Sequence, residues 1–596
     1  MKSRPLFTPT QAWVLICAAA AANGSAIQLR SSLEFKCWTA DGSTTTECPL
    51  YGPDGPWQTF DLVPNYGVLD NGRWGIEPIP VFPDGDTVTE LMSDKMEPYM
   101  YSVSQSIRLG ADNEGSISLQ STVWGGIDSR ARTTSGTGYT ANIGLFPRDA
   151  EGGEIVNASI VVFDSWTYEI GSVPTRYNAT VGKLGLGPVQ RGHQSYVDGT
   201  RPGLLNQLKS TGAVTSEFWS LHLGSAWLRQ SSSLVLGGYE QNRVLGDVAV
   251  FDMWRGIPRI ALVDIFLGVE MGSSPFDGAA GSLWRLVSED ENPLGEEVRK
   301  KHRAPPGSIS IIPNPSVPFI SLPPSICNAI AARLPVTWRD SFGLFTWDVD
   351  DPRFKRIVDS PAYLGFVFSD WEARNHTIKI PFKLLNLTLE APIVDAKNPT
   401  RYFPCQPMTQ TREGIYQLGR AFLQGAFVGF NYEKNVVYLA QGPGPNMAQS
   451  VLRTLEVNDD MPRSNTIDSF AESWMASWTV LESDSSEGSS SGDGDADGQG
   501  QGGVLSAGAK AGAAVGAVCG LVLVVVMAGF FWRRTWRRQQ AGRDQAAFSL
   551  DVRGPEEKTK ATTAEAPGTE MRHELEAPLG VHELTTVLPG EGPGKV

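Results

Sequence analysis

The chain has 596 residues, of which 65 are acidic and 50 are basic, so its formal net charge is −15 at neutral pH. Outside an arginine cluster near the C-terminus there is no basic stripe to neutralise phosphates, which argues against nucleic acid as a partner. The length exceeds what one hydrophobic core fills, so we expect more than one folding unit.

The N-terminus has the layout of a cleaved signal peptide. Lys2 and Arg4 precede an apolar run from Ala12 to Ala22, which ends in small residues. This run is too short to span a bilayer and has the order of segments that export signals share. We therefore expect residues 1–22 to be removed and the following chain to enter the secretory pathway.

From about residue 31 to residue 445 the composition is that of a folded globule, with β-branched runs between glycines and prolines. Runs such as Ile160–Phe163 and Ser233–Leu236 predict strands. Helical periodicity is rare, and the helix candidates are 202–210 and 324–332. The pattern predicts an all-β fold with minor helix.

Four cysteines remain after one in the signal and one in an apolar C-terminal stretch are set aside: Cys37, Cys48, Cys327 and Cys405. Four cysteines allow three pairings. Proximity in sequence favours Cys37 with Cys48 and, by elimination, Cys327 with Cys405, as expected in an oxidising compartment.

Four Asn-x-Ser/Thr sequons are further signs of export, at Asn157, Asn178, Asn375 and Asn386. A polar glycan requires a solvent-exposed attachment point. We therefore expect these asparagines in loops or at the ends of strands.

The C-terminal part predicts a membrane anchor. Residues 446–510 contain Ser, Gly and Asp tracts that cannot bury a core, which is typical of a flexible acidic stalk. Ala511 to Trp532 are 22 residues without a charge, long enough to cross a bilayer core of about 30 Å.

Four arginines follow this span, whereas the preceding stalk is acidic; they are Arg533, Arg534, Arg537 and Arg538. This asymmetry places the C-terminus in the cytoplasm and predicts a single-pass type I protein of the cell surface or of the secretory or vacuolar pathway. We expect the arginines to meet anionic lipid headgroups and residues 533–596 to form a disordered tail.

Several blocks, in this order, resemble the pepsin-like aspartic proteases, especially the membrane-anchored fungal type; they include Val181–Gly187, Phe218–Leu223, Leu234–Tyr239, Leu418–Leu423 and Val437–Ala440. The resemblance covers roughly residues 57–441. It implies an N-terminal lobe of residues 31–255 and a C-terminal lobe of residues 256–445. Between them it implies a cleft that binds an extended peptide through main-chain hydrogen bonds.

The chemistry of that family needs two carboxylates, one per lobe, which share a proton and act as base and acid. Each stands in an Asp-Thr-Gly or Asp-Ser-Gly turn. Aligned on this pattern, the second lobe has Asn314 in the place of the aspartate, followed by Pro315-Ser316-Val317. An amide is isosteric with a carboxyl group and keeps its hydrogen bonds, but it cannot exchange the proton.

No such triplet follows the strand at residues 57–60 anywhere up to Ser135. Asp70-Asn71-Gly72 is the nearest approximation, although Asn-Gly is typical of an ordinary tight turn. Asp84-Gly85-Asp86-Thr87 is a weaker candidate that we interpret as a surface turn. Tyr139, in Ser135-Gly136-Thr137-Gly138-Tyr139, is the candidate for the residue that closes over a substrate, and the alternative is a plain glycine loop.

Other chemistries have little support in the sequence. The histidines at 193, 222, 302 and 376 have no metal-ligand spacing, and glycine motifs such as Gly185-Leu186-Gly187 lack the context of a dinucleotide site. We therefore expect no cofactor and no metal.

These observations leave three interpretations. The first is a pepsin-like ectodomain without its acid pair that acts as a binding or structural protein, with an extended peptide or a cell-surface ligand in the cleft. The second is an active aspartic endopeptidase that cleaves peptides at acidic pH, using Asp70 or another aspartate with help from Asn314. In the third, residues 62–135 are a mis-spliced or mispredicted translation of the exon that should encode the first active-site loop. The oligomeric state is not predicted.

Overall fold

A computed structural model describes residues 26–32, 37–38, 44–45, 51–64, 79–86, 88–92, 112–117, 131–133, 136–145, 154–163, 165–171, 175–188, 203–254, 256–278, 281–284, 305–408, 416–457, 459, 462 and 469–482. All of them belong to the compact unit that ends at Gly488. The predicted signal peptide, membrane span and tail lie outside these residues. Within them, no helix has the length and apolar character needed to cross a bilayer.

Strands dominate the N-terminal part of the described chain, as its β-branched and aromatic runs predict. In chain order they are β1 (Ile27–Leu29), β2 (Cys37–Trp38), β3 (Thr44–Thr45), β4 (Phe60–Pro64), β5 (Ile79–Asp84), β6 (Thr89–Met92), β7 (Asp112–Ile117), β8 (Ala131–Thr133), β9 (Gly136–Leu145), β10 (Glu154–Phe163), β11 (Trp166–Ile170), β12 (Thr175–Asn178), β13 (Gly182–Gly185), β14 (Phe218–His222), β15 (Ser233–Leu236), β16 (Gly238–Glu240), β17 (Leu245–Trp254) and β18 (Ile257–Pro258).

The C-terminal part has the same character. Its strands are β19 (Ile260–Val269), β20 (Ile309–Pro313), β21 (Ile320–Leu322), β22 (Val336–Arg339), β23 (Leu344–Trp347), β24 (Ala362–Ser369), β25 (Asn375–Pro381), β26 (Leu387–Leu389), β27 (Thr400–Phe403), β28 (Cys405–Pro407), β29 (Tyr416–Leu418), β30 (Ala426–Asn431), β31 (Val436–Gln441) and β32 (Leu452–Thr454).

The helices are short, which confirms the predicted all-β class with minor helix. They are α1 (Leu204–Ser210), α2 (Pro324–Ala331), α3 (Pro352–Val358), α4 (Arg420–Leu423) and α5 (Phe470–Trp474), with 3-10 turns at Gln241–Arg243, Phe382–Leu385 and Met475–Ser477. Both predicted helices are confirmed as α1 and α2. Proline occupies the first turn of α2, where its missing N–H costs nothing.

Three seven-stranded sheets carry most of the core, in the orders β1-β15-β14-β30-β31-β17-β18, β10-β6-β13-β5-β4-β9-β7 and β25-β24-β19-β20-β29-β21-β28. In the first of them β30 and β31, from the C-terminal part, pair with β14 and β17 from the N-terminal part. This shared sheet contains strands from both sides of the lobe boundary predicted at residue 255. The division into two lobes stays a prediction.

The other two large sheets contain the same four-strand arrangement. In the first set β5 runs parallel to β13, and β6 runs antiparallel to β13 and parallel to β10. In the second set β20 runs parallel to β29, and β21 runs antiparallel to β29 and parallel to β28. We call these the first strand set (β5, β6, β10, β13) and the second strand set (β20, β21, β28, β29).

Both sets can be aligned on a shared Leu-Gly pair, Leu184-Gly185 in the first and Leu418-Gly419 in the second. Gly185 lies opposite Asp84, and Leu418 lies opposite Pro313, one residue before Asn314. Asp84 and Asn314 therefore occupy equivalent positions.

A disulfide between Cys327 and Cys405 joins α2 to β28, with the two Cα atoms 5.7 Å apart. This confirms the second predicted pairing. Cys37 lies in β2, but Cys48 lies outside the described residues, so the first pairing stays a prediction.

The segment that composition predicts to be a stalk from residue 446 is packed over its described part. β32 pairs with β16, and a capping box of Ser469 and Glu472 begins α5. Trp474 is 1% exposed and stacks on Trp478 with ring centroids 5.5 Å apart. These aromatic rings supply the apolar area that the rest of the stalk lacks, so the folded unit extends to residue 482.

We expect Trp474→Ala to lower the free energy of unfolding by about 3–5 kcal/mol, because it leaves a cavity among the rings of α5. The neighbouring Met475 is 61% exposed, so Met475→Ala should change stability by about 0.5 kcal/mol or less. Chemical denaturation of both variants measures the difference. Equal effects would show that residues 469–482 are not part of the core.

Candidate functional site

The ends of β5 and β20 bring two buried polar side chains to equivalent points. Asp84 and Asn314 are each 2% exposed. One carboxylate oxygen of Asp84 accepts a hydrogen bond from the backbone N–H of Asp86, at 3.1 Å. The Asn314 side-chain oxygen accepts from the backbone N–H of Ser316 at 3.0 Å and from its hydroxyl at 2.7 Å. Each side chain thus closes the same turn two residues ahead.

A side chain on the central strand of each set contacts this end residue. In the first set Lys183 Nζ lies 3.7 Å from Asp84 Oδ2 and 3.0 Å from Glu90 Oε2. In the second set Asn314 Nδ2 donates to Gln417 Oε1 at 3.0 Å. Lys183 and Gln417 each precede the shared Leu-Gly pair and are therefore equivalent. The first contact is ionic and the second is between neutral amides.

The ionic cluster of the first set is strongly coupled. Burial alone would lower the pKa of Lys183, but the Glu90 and Asp84 carboxylates outweigh it and hold this pKa well above its usual value. Burial raises the pKa of Glu90, and the Lys183 ammonium opposes that shift. Lys183 also lies 5.1 Å from the centroid of the Trp166 ring. The ammonium is therefore charged at neutral pH.

A small, partly open pocket lies between β5, the turn after β20 and the start of α4. Its lining includes Asp54, Phe82, Tyr168, Tyr177, Ser316 and Arg420. Phe82 is two residues before Asp84, and Ser316 is two residues after Asn314, but neither Asp84 nor Asn314 lines the pocket itself. The pocket combines aromatic surface with charged and hydroxyl groups, and its volume is about 30 Å³.

Arg420 closes one wall of this pocket and is buried. Its Nη1 donates to the carbonyl oxygens of Pro315 at 3.1 Å and of Ser316 at 2.9 Å. Its guanidinium lies 3.9 Å from the centroid of the Phe82 ring, and Nη2 lies 3.7 Å from Asp54 Oδ1. Arg420 therefore links the turn after β20 to residues of the N-terminal part.

The arrangement limits the chemistry of the two end positions. An amide cannot take up and release the proton that an acid pair shares, and Asn314 is an amide. Asp84 could serve as a base, but its carboxylate lies beside the Lys183 ammonium. Among the described residues no group of three His, Cys, Asp or Glu side chains could hold a metal ion. A binding role needs none of this chemistry.

The structure tests one of the two first-lobe aspartate candidates. Asp84, interpreted from sequence as a surface turn, is instead buried at the end of β5, so that interpretation was wrong. Asp70 lies outside the described residues and stays a prediction. The backbone of Tyr139 lies in β9, between β7 and β10, and its side chain lies outside the description.

The predicted glycosylation sites differ in exposure. Asn178 at the end of β12 and Asn375 at the start of β25 are exposed, whereas Asn386, just before β26, is half-buried. Asn157 lies in β10, and its side chain is outside the described part. Asn178 also borders the pocket, where a glycan would stand at its rim.

Sequence reasoning missed Lys183, Gln417 and Arg420. A signal was present, because a charged or amide residue directly before Leu-Gly occurs in both strand sets, within otherwise apolar segments. Comparing the two segments with each other would have shown their equivalence and identified Asp84 as the counterpart of Asn314.

No protein-family model matches the chain, and no curated protein is significantly similar to it. The function of the site must therefore be inferred from the groups that meet at the ends of β5 and β20.

We expect Arg420→Met to lower the free energy of unfolding by about 3–5 kcal/mol, because it removes a buried cation that lies 3.7 Å from the Asp54 carboxylate. The carbonyl groups of Pro315 and Ser316 would also lose their donor. The matched control is Arg353→Met, which removes a partly exposed arginine paired with Asp351 and should change little. Urea denaturation of both variants measures this, and equal effects would contradict the role assigned to Arg420.

Proposed function

We propose that this chain is a membrane-anchored, pepsin-like ectodomain that has lost its catalytic acid pair and acts as a binding or structural protein. It would work at the cell surface or in the secretory or vacuolar pathway. The observation that carries the proposal is Asn314, a neutral amide at the position equivalent to Asp84. The repeated strand arrangement supports the family assignment.

The chemistry explains why the amide matters. Hydrolysis by paired acids requires one carboxylate to accept a proton from water while a carboxylic acid donates one to the carbonyl oxygen of the substrate. Asn314 can do neither, because its side-chain amide does not take up or release a proton. Its Nδ2 donates to Gln417 and its oxygen accepts from Ser316. The same hydrogen bonds keep the turn in place, so the surface that would bind a peptide can persist without activity.

The pocket between β5 and the turn after β20 supports a binding role. Its ion pair of Asp54 and Arg420 and the ring of Phe82 offer a charged and an aromatic contact. Its volume of about 30 Å³ holds about one water molecule, so an extended peptide or another cell-surface ligand would contact only its rim and run its backbone past the turn at Asn314. The predicted membrane span would hold this surface outside the cytoplasm.

Incubating the purified full-length chain in detergent with an unfolded protein substrate, at pH 3 to 6 and with or without pepstatin, tests the proposal. We expect no pepstatin-sensitive cleavage, because Asn314, an amide, occupies one of the two positions of the acid pair. The matched control, Asn314→Ala, removes the amide and should give the same background. Pepstatin-sensitive cleavage by the natural chain would refute the loss of activity.

A buried histidine predicts how the fold responds to acid. His222 Nε2 lies 3.0 Å from the carbonyl oxygen of Gln424, and its Nδ1 lies 3.4 Å from Arg243 Nη1. Burial, together with the Arg243 cation, lowers the pKa of His222 to about 3. In the unfolded chain this pKa is about 6.5. The neutral ring therefore stabilises the fold above pH 6.5, and this contribution is lost as the pH falls towards 3.

We expect His222 alone to reduce the free energy of unfolding by about 3 kcal/mol between pH 7 and pH 4. His222→Gln keeps a donor and an acceptor without a titratable ring, so the fall between these pH values should be smaller by about that amount. Urea denaturation at pH 7, 5.5 and 4 measures it. An unchanged pH dependence in the variant would show that the pKa of His222 is the same in the folded and unfolded chains, contrary to this expectation.

A further inference from the structure

In each strand set the residue at the end of β5 or β20 contacts a side chain of the adjacent strand, β13 or β29. The two contacting side chains occupy equivalent positions in the two sets. Lys183 lies beside Asp84 in the first set, and Gln417 lies beside Asn314 in the second. Both neighbours directly precede the shared Leu-Gly pair. The same two positions are therefore in contact twice, once as an ion pair and once as a pair of amides.

The charge in the first set is fixed by its surroundings. Lys183 contacts two carboxylates, and the closer one belongs to Glu90, its cross-strand partner. The equivalent partner in the second set is Ser321, which carries no charge. A buried ammonium needs a countercharge, and a buried carboxylate needs the same, because desolvation penalises both ions. Lys183 therefore forms an ion pair with the Asp84 carboxylate at the position where Gln417 forms a hydrogen bond with the Asn314 amide.

We infer that Lys183 is a positioning residue that holds the Asp84 carboxylate as an internal ion pair, so that the first strand set is closed to acid–base chemistry independently of Asn314. The inference deepens the proposed function and rests on it in treating Asp84 and Asn314 as two halves of one site. Two separate features then prevent acid–base catalysis at the site: the amide of Asn314 and the ion pair of Lys183 with Asp84. Restoring a carboxylate at 314 removes only one of them.

A double-mutant cycle between positions 84 and 183 tests the ion pair directly. Glu90→Gln serves as the background, because it leaves Lys183 with Asp84 as its remaining carboxylate in this cluster. Within it, Lys183→Gln, Asp84→Asn and the combination of both are compared by urea denaturation at pH 7. The combined variant reproduces the amide pair that the second strand set already contains.

We expect Lys183→Gln to raise the unfolding equilibrium constant by about a hundredfold or more when Asp84 is present, because a buried carboxylate is left unpaired. In the Asp84→Asn background the same change should cost about tenfold less. If the Lys183→Gln variant does not fold while the combined variant does, the coupling is shown as well. Effects of Lys183→Gln that agree within about twofold in both backgrounds would overturn the inference.

A second arm uses activity. Asn314→Asp supplies the missing carboxylate but leaves Lys183 in place, so we expect no peptide hydrolysis at pH 3 to 6, with circular dichroism confirming the fold. Hydrolysis by this single variant would overturn the inference, because Asp84 would then be available despite Lys183. The two ideas fail separately: cleavage by the natural chain refutes the proposed function, whereas an uncoupled cycle refutes the ion pair.

Discussion

The organisation of this molecule depends on one constraint, which is that a polar side chain buried at the end of β5 or β20 must find its partner within the sheet. An unsatisfied buried polar group costs about 1–3 kcal/mol, and an unpaired charge costs more. The parallel pairings of β5 with β13 and of β20 with β29 bring Asp84 and Asn314 into that position in equivalent places. Each is satisfied by the turn ahead of it and by the neighbouring central strand, which leaves the charge of the pair as the feature that differs.

Glycines let the backbones of these neighbouring segments approach closely enough for the side-chain contacts to form. A Cβ atom on Gly187 would lie 1.9 Å from the carbonyl oxygen of Gly85, and one on Gly419 would lie 2.3 Å from that of Phe319. Both distances are far inside van der Waals contact, so the backbones can approach only where no side chain is present. The glycines in these two segments are thus required for the close approach of the backbones.

Local patterns were sufficient to predict much of the fold. Short apolar runs predicted β10 and β15, and periodicity predicted α1 and α2, because these signals depend on nearby residues. Cys327 and Cys405 could be paired by elimination. Asp84 was misread because Asp-Gly-Asp has the composition of a turn, and burial at the end of β5 depends on β13, about a hundred residues away. The packing of residues 469–482 was missed because a few aromatic rings outweigh a polar composition.

The two pairs also differ in what they permit. An amide at 417 can donate or accept, so Gln417 could satisfy either an amide or a carboxylate at position 314 by rotating its side-chain amide. An ammonium can only donate, so Lys183 is stabilised by the carboxylates of Glu90 and Asp84 and would lose a countercharge if position 84 became neutral. Stability therefore favours an acidic end residue in the first strand set, whereas the second set can accept either an amide or a carboxylate. A carboxylate can persist in the first set as a structural ion, and its presence there is by itself no sign of catalysis.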